Sequence, residues 1–285
     1  MNDTYTAHTL VDFIKIIDEL KPDDPHSILW FRGQSDARHQ LIPSVLRKSY
    51  ECDITVAGCK SSWLGKKIVT LDSEAMLQEF KQLARPFLSQ QPQNDFEWMF
   101  IAQHHGLPTR LLDWSTNALV ALYFAVQGAP IYENEDKNGD EGAAVFVIDP
   151  LQINNQTVMT NTPAQIIDIA ANADEWDAFL APNFKKRNTL PICITAPHMT
   201  KRIRAQNGVF TLHGSYIRAL DAYDALKPFI KKIFVPYTAT RNILESLALM
   251  GINESFIYPS LDSVAKDIAK TATKRYEYGQ KHDRQ

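Results

Sequence analysis

Cysteine is scarce in this chain. Cys52, Cys59 and Cys193 are an odd number at no regular spacing among 285 residues. That excludes a disulfide-stapled secreted scaffold and points to a reducing compartment. No matching Cys or His pair follows Cys52 and Cys59, so the ligand spacing of a zinc site is missing and no metal is expected. Long apolar runs are also lacking. None approaches the ~20 residues that span a bilayer. The opening Met1-Asn2-Asp3-Thr4 is polar and acidic, unlike a secretory leader. A cytoplasmic protein with no membrane association is the expectation. There is no excess of positive charge either. The net charge of −3 offers no global attraction to nucleic acid, though a local patch stays open. Finally, no Walker A loop, GxGxxG, HExxH or GxSxG stands in a fitting context, which removes the commonest nucleotide-loop, zinc-protease and serine-hydrolase readings.

What is present is the composition of an ordinary globular protein, 45% hydrophobic and 22% charged. Apolar periodicity predicts an amphipathic helix from Leu10 to Leu20, with a capping box at Thr9 and Asp12. Ser27 to Gly33 reads as a central strand, apolar on both faces until Arg32 arrives at its end. Residues 48–70 are polar and weakly periodic, a loop or small insertion. A helix follows from Ser73, interrupted at Pro86. A second, capped by Asp95, ends near His105 or Gly106. Ala118 to Val126 is apolar on every side, the mark of a helix buried all round. Tyr132 to Glu141 forms an acidic surface loop. Ala143 to Ile148 is a buried strand stopped by Asp149-Pro150.

Thr162-Pro163-Ala164-Gln165 signals a helix towards Leu180. Pro191 to Thr195 is a strand. Lys201 to Arg204 is a basic turn leading into a strand that carries Gln206 and continues to Thr211. Lys231 to Val235 is another strand, and a helix then runs to Gly251. The short segment Ser255 to Tyr258 closes the set. Asp262 caps a last short helix, and from about Lys274 the charged tail is frayed. The expectation is an α+β single domain with a mixed, split sheet flanked by helices, not a repeating βαβ sheet. Its boundaries are an N-terminal helix over 1–24, a main domain over 25–270 with insertions at 48–70 and 151–190, and a tail over 271–285.

The chemistry concentrates in one stretch, Gln103-His104-His105-Gly106-Leu107-Pro108-Thr109-Arg110-Leu111-Leu112-Asp113-Trp114-Ser115. It joins two helix-like segments, so rigid elements hold it. His104 and His105 are adjacent and point in different directions, and at most one faces a site. Arg110 and Asp113 are close enough to pair with each other. Trp114 is either core or a stacking platform, and Ser115 either a site hydroxyl or a helix cap. Arg32 needs a carboxylate partner or a bound anion. A metal nuclease site from His104, His105, Asp113 and His213 has no defined ligand spacing.

Phe31-Arg32-Gly33-Gln34, followed by Leu41-Ile42-Pro43-Ser44, resembles the opening signature of the FRG domain family. The central stretch, continued through Asn117 to Ala125, is similar to that family's strongest motif. Ala205 to Thr211 followed by His213 resembles its third. Gly251-Ile252-Asn253 and Tyr258 to Asp262 resemble its closing segment, with Ser260 where the family tends to carry an acid. The resemblance spans about residues 25–270. It implies a bacterial or phage-associated protein, in a toxin or phage-defence setting.

The order of these motifs resembles the ADP-ribosyltransferase superfold. That analogy implies an NAD-type nucleotide as substrate. Arg32 would hold its pyrophosphate or ribose, Thr109 to Ser115 would line the nicotinamide side, and Gln206 would stand where the superfold has a Glu. The candidate catalytic residues are therefore Arg32, His105, Arg110, Asp113 and Gln206. Phe31, Gly33, Gln34 and Thr109, with Trp114, Ser115, Tyr123, Phe210 and His213, are the candidate ligand-binding residues. Gln206 can bond a ribose hydroxyl but cannot be a carboxylate base, so turnover would need another residue such as Asp113. A different class stays open. Lys185-Lys186-Arg187 and Lys201-Arg202-Arg204 could form a basic rim beside Trp114 and Tyr123, in a non-catalytic module recognising nucleic acid or a partner protein. A metal-independent hydrolase or nuclease is a third alternative.

Overall fold

The computed structural model describes residues 4–24, 27–56, 59–130, 141–158, 165–171, 173–176, 179, 190–197, 200–214 and 216–282. In chain order the elements are β1 (Thr4–Thr6), α1 (Leu10–Glu19), β2 (Trp30–Gln34), α2 (Ser44–Arg47), β3 (Ser49–Val56), β4 (Cys59–Thr70), α3 (Ser73–Ala84) and α4 (Asp95–His104). Next come β5 (Leu111–Ser115), α5 (Ala118–Gln127), β6 (Gly142–Ile148), α6 (Pro150–Thr157), β7 (Ile167–Asp168) and β8 (Ile192–Thr195). The last are α7 (Lys201–Ala205), β9 (Gly208–Leu212), β10 (Ile230–Pro236), α8 (Tyr237–Leu249), α9 (Glu254–Ile257) and α10 (Leu261–His282).

One eight-stranded sheet organises the chain, in the order β1-β10-β6-β2-β5-β9-β8-β7. Its pairs are antiparallel except the two outermost, β1 with β10 and β7 with β8. The protein is thus α+β, with a mixed and mostly antiparallel sheet flanked by helices. The middle of the sheet is its weak seam. β2 joins β6 through five register pairs, and β5 joins β9 through five. β2 and β5 meet at a single pair, Phe31 with Ser115. Beyond that bridge the two strands diverge and the sheet opens.

α5 braces the seam. Asn117 caps it, its side chain accepting from the backbone N–H of Leu119 at 3.0 Å, a contribution of about 1 kcal/mol. Val120, Ala121, Leu122 and Ala125 are buried against Phe31, Val145 and Val147. Gly33 lets the helix approach. A Cβ there would lie 1.9 Å from the Ala121 carbonyl oxygen, so no side chain fits. A second cluster, with Trp30, Leu112, Trp114 and Phe146, fills the opposite face. A third packs α4 against β8 and β9 through Phe100, Ile192 and Phe210.

Several expectations hold. The Thr9–Asp12 capping box forms, α4 ends at His105, and Gly106 and Gly251 follow their helices at positive φ. Others are corrected. Residues 48–70 form a hairpin of β3 and β4, a two-stranded sheet of their own. Tyr50 is exposed and Cys52 half-buried, so local strand pairing rather than core burial organises the hairpin. Leu111–Ser115, within the stretch that joins two helices, is a strand. Asp149-Pro150 ends β6 but also starts α6, as cap and first-turn proline.

The helix expected towards Leu180 is absent at 167–176. Ile167–Asp168 instead pairs along the edge of β8, and Ile169 is buried in the third cluster, so tertiary pairing overrides the cap signal. Ser255 to Tyr258 lies in the one-turn helix α9 and its cap. The tail beyond Lys274 is not frayed: α10 reaches His282, because its Ala, Lys, Arg, Glu and Gln are good helix formers. Ser260, not Asp262, caps it, accepting from the Ser263 N–H at 3.1 Å. The acidic loop to Asp140, Thr162 to Ala164 and Lys185-Lys186-Arg187 lie outside the described residues. No described helix is long and apolar enough to cross a membrane.

Candidate functional site

The opening between β2 and β5 is a cavity of about 940 Å³, the size of a small-molecule site. Phe31, Arg32, Gly33 and Gln34 line it from β2, and Asp113, Trp114 and Ser115 from β5. The loop after β2 adds Arg38 and His39, and α2 adds Arg47. Phe124 of α5, Arg202 of α7 and Gln206 complete the wall.

Arg32 spans the seam. Its Nη1 donates to the Asp113 carbonyl oxygen at 2.6 Å and lies 3.9 Å from the Asp113 Oδ2. The pairing is therefore mostly to backbone. Its Nε and the Gln34 Oε1 are buried without hydrogen-bond partners among the described residues. Burial lowers the Arg32 pKa to about 10, against the opposing pull of Asp113, so it stays cationic at neutral pH.

Asp113 is held from behind. Its Oδ2 accepts from Gln103 Nε2 at 2.9 Å, and Gln103 Oε1 accepts from the Thr109 hydroxyl at 2.6 Å. Thr109 is buried and in turn accepts from the Leu111 N–H at 3.1 Å. The chain from Thr109 to Arg32 fixes an exposed carboxylate on the cavity wall. Ser115 is a strut as well as a lining residue. Its hydroxyl donates to the Gln206 carbonyl oxygen at 2.7 Å and accepts from the Asn117 N–H at 2.9 Å.

Gln206 is not on a strand. Thr200 caps the basic turn into helix α7, and Gln206 is its C-terminal cap. Asn207, at φ 46°, then turns the chain into β9. The Gln206 Nε2 donates to the Ile257 carbonyl oxygen at 3.1 Å, which orients the amide at the cavity edge.

The charge balance of the cavity differs from that of the whole chain. Four arginines line it, and Asp113 is the one carboxylate among the described lining residues. Arg38 is spoken for by Asp36 at 2.7 Å and Glu141 at 3.7 Å. Arg47 and Arg202 have no carboxylate within 4.0 Å among the described residues. Arg47 donates to the Ile42 carbonyl oxygen, and Arg202 lies 4.9 Å over the Tyr258 ring. The cavity is thus a cleft with unneutralised guanidinium groups, which can donate to carboxylate or phosphate oxygens.

Six candidates lie elsewhere. Thr109 acts only from behind. Arg110 does not pair with Asp113. It donates to the Ser73 hydroxyl at 3.2 Å and the Gly214 carbonyl oxygen at 2.5 Å, tying α3 to the turn after β9. His105 is exposed, away from the cleft. His104 instead faces a side pocket of about 40 Å³ that shares Asp113, Arg202 and Gln206 with the cleft. Its pKa is lowered by burial, then by Arg202 and His105. Phe210 lines that side pocket and packs on Phe100 at 5.2 Å. Tyr123 faces away, among α8, α9 and α10, its pKa raised to about 12 by burial. His213 is buried, its pKa lowered to about 3, first by burial.

Sequence reasoning missed Arg38, Arg47 and Phe124, and placed Arg202 only on a rim. A signal existed for Arg47: it follows the Leu41-Ile42-Pro43-Ser44 signature by three residues. Among the described residues, no group of three His, Cys, Asp or Glu side chains is arranged to hold a metal ion.

Fold and cleft define an α+β protein with an arginine-lined cavity at a split in its central sheet. Residues 27–134 match the family model of the FRG domain, so that segment is similar to the FRG domain family. The matched segment carries both walls of the seam and α5, while Arg202 and Gln206 come from beyond it. No curated protein and no solved structure matches the chain.

Proposed function

We propose that the cleft binds an NAD-type dinucleotide and that Asp113 supports cleavage of its nicotinamide–ribose bond, as in an ADP-ribosyltransferase or NAD glycohydrolase. One observation carries this: Arg32, Arg47 and Arg202 line one cavity of about 940 Å³ together with a single, rigidly held carboxylate. Guanidinium groups suit the pyrophosphate, and Phe124 and Trp114 offer apolar surface to a base. Asp113 Oδ1 has no protein hydrogen bond among the described residues, which leaves it for a ribose hydroxyl or an attacking nucleophile. In the reaction, the glycosidic C–N bond breaks and its electron pair leaves with nicotinamide, quenching the pyridinium charge. Water, or an acceptor group on protein or nucleic acid, adds to the ribose carbon, and its proton passes to Asp113. Gln206 bonds the ribose without acting as base. A bacterial toxin or phage-defence role fits such chemistry.

The test follows nicotinamide release and thermal melting together for wild type, Arg32→Ala and Asp113→Asn with NAD. NAD is expected to raise the wild-type melting temperature and to lose that effect in Arg32→Ala. Asp113→Asn keeps the melting shift and loses about 10²-fold in release. A folded wild type with neither signal overturns the reading. It would favour the recognition module, which Lys201 and Arg204, exposed on α7 beside Arg202, support.

A further inference from the structure

His104 ends α4 and lines the side pocket of about 40 Å³ beside the cleft. That volume holds about one to three water molecules and is too small for an amino-acid side chain or a nucleotide. Asp113, Arg202 and Gln206 border both spaces. Their remaining atoms suit a water. Asp113 Oδ2 and Gln206 Nε2 are engaged, which leaves Asp113 Oδ1 and Gln206 Oε1 without hydrogen bonds among the described residues. Arg202 supplies a donor. The Thr200 hydroxyl lies 3.3 Å from His104 Nδ1, so the ring keeps Nε2 for the pocket. A buried water needs about two to four polar partners, and these four residues border one pocket. The charged and titratable groups facing the ring are Arg202 from α7, His105 from α4, 4.9 Å away between ring centres, and Asp113 from β5. Burial, then Arg202 and His105, hold the imidazole below its ordinary value of 6.5, so it is neutral at pH 7.

We propose that this pocket holds the water that attacks the ribose and that His104 is a further catalytic residue. The acceptor is then water, and the chain is a hydrolase of NAD-type dinucleotides rather than a transferase. The inference rests on the NAD reading of the cleft and narrows it. The pocket borders the same Asp113 that serves the ribose, so a water held there stands beside the reacting carbon. Neutral His104 accepts a hydrogen bond from that water and turns an oxygen lone pair towards the carbon. The tautomer this needs carries its proton on Nδ1, towards the Thr200 oxygen. As the C–N bond breaks, its electron pair leaves with nicotinamide and the water oxygen bonds to the ribose carbon. The proton lost by the water passes to Asp113 and from that exposed carboxylate to solvent. Free ADP-ribose and nicotinamide are the products. A macromolecular acceptor would have to enter through the main cleft, past the dinucleotide.

The test measures nicotinamide and free ADP-ribose together for the full chain with NAD, with cellular RNA and protein added as competing acceptors. One free ADP-ribose is expected per nicotinamide. His104→Ala is expected to lower kcat about 10²-fold with KM unchanged, and His104→Gln, which can still accept from water, to recover about tenfold of that loss. NAD should raise the melting temperature of both variants as it does wild type, which shows that they fold and bind. Wild-type kcat is expected to fall as pH drops below the ordinary histidine value, because only neutral His104 can accept, and His104→Ala should lack that limb. ADP-ribose attached to the added RNA or protein, with little set free, overturns the proposal and leaves the NAD reading standing. So does His104→Ala at the wild-type rate, a loss in KM alone, or a glutamine variant no better than alanine. A folded wild type that neither binds NAD nor releases nicotinamide overturns the NAD reading and this inference with it.

Discussion

The central stretch divides in two, and its halves do different things. From Gln103 to Arg110 the polar side chains, the two histidines apart, are struts. Thr109 and Gln103 hold one another, Arg110 ties Ser73 to Gly214, and the Arg110 carbonyl oxygen accepts from the His213 N–H at 3.0 Å. From Leu111 to Ser115 they are cleft wall, because β5 diverges from β2 and exposes Asp113 and the edges of Trp114 and Ser115. Density of reactive side chains in a sequence therefore marks a rigid junction as readily as a site. What separates the halves is the seam: only residues beyond the Phe31–Ser115 bridge look into open space.

His213, packed behind the struts, gives the largest way to test that division. Its folded-state pKa near 3 lies below the ordinary value of 6.5. As pH falls below about 6.5 the unfolded chain takes up a proton that the folded chain refuses. Stability is thus fully present above pH 6.5 and is lost as pH falls towards 3, by on the order of 3 kcal/mol at pH 4 from this group. Urea unfolding at a series of pH values should show that slope, and His213→Leu should flatten it. An equal slope in both proteins would mean that His213 is protonated in the fold and reachable by solvent or ligand. Arg110→Ala is the next largest. Removing a half-buried guanidinium leaves Ser73 and the Gly214 carbonyl short of a donor, at a cost of about 2 kcal/mol in unfolding free energy. Its NAD affinity, measured below the melting range, should stay at the wild-type value. If Arg110→Ala weakens NAD binding as much as Arg32→Ala, the two halves are one site.

Much of this could be read from residues alone, for physical reasons. Capping boxes and apolar periodicity are local, so α1, α5 and the core strands emerged with nearly their observed bounds. Arg32 was found because a polar group at the end of a buried strand has few explanations, while Gln34 came with the opening motif and Asp113 with the dense central stretch. The seam-lining Phe31, Gly33, Trp114, Ser115 and Gln206 came with the motifs. What failed was non-local. Side-chain direction separated His104 from His105 and turned Tyr123 away while leaving Phe124 in the cleft. Gln206 was misplaced because a five-residue helix capped by Thr200 has too few residues to show a period. Arg38 and Arg47 come from a loop and a one-turn helix with no periodicity at all. α10 misled most: its charged end suggested fraying, yet Asp267 and Lys274 bond to Ser255 and Glu245 and the helix runs to His282.

Arg47 gives the smallest and most discriminating effect. It is exposed, so Arg47→Ala should change stability by less than about 0.5 kcal/mol. Within the cleft, though, its charge is unneutralised, and it faces the same ligand space as Arg32. Losing it should weaken NAD binding about fivefold, near 1 kcal/mol, and make the remaining affinity less sensitive to salt. Arg38→Ala is the matched control. Arg38 lines the same cavity, but Asp36 and Glu141 already compensate its charge. Removing it should alter affinity less than removing Arg47. Titration calorimetry of both variants at two ionic strengths separates the cases. Equal losses would mean that any charge near the cleft serves by long-range attraction alone. A loss confined to Arg47 means that the cleft wall beyond the bridge selects its ligand by contact.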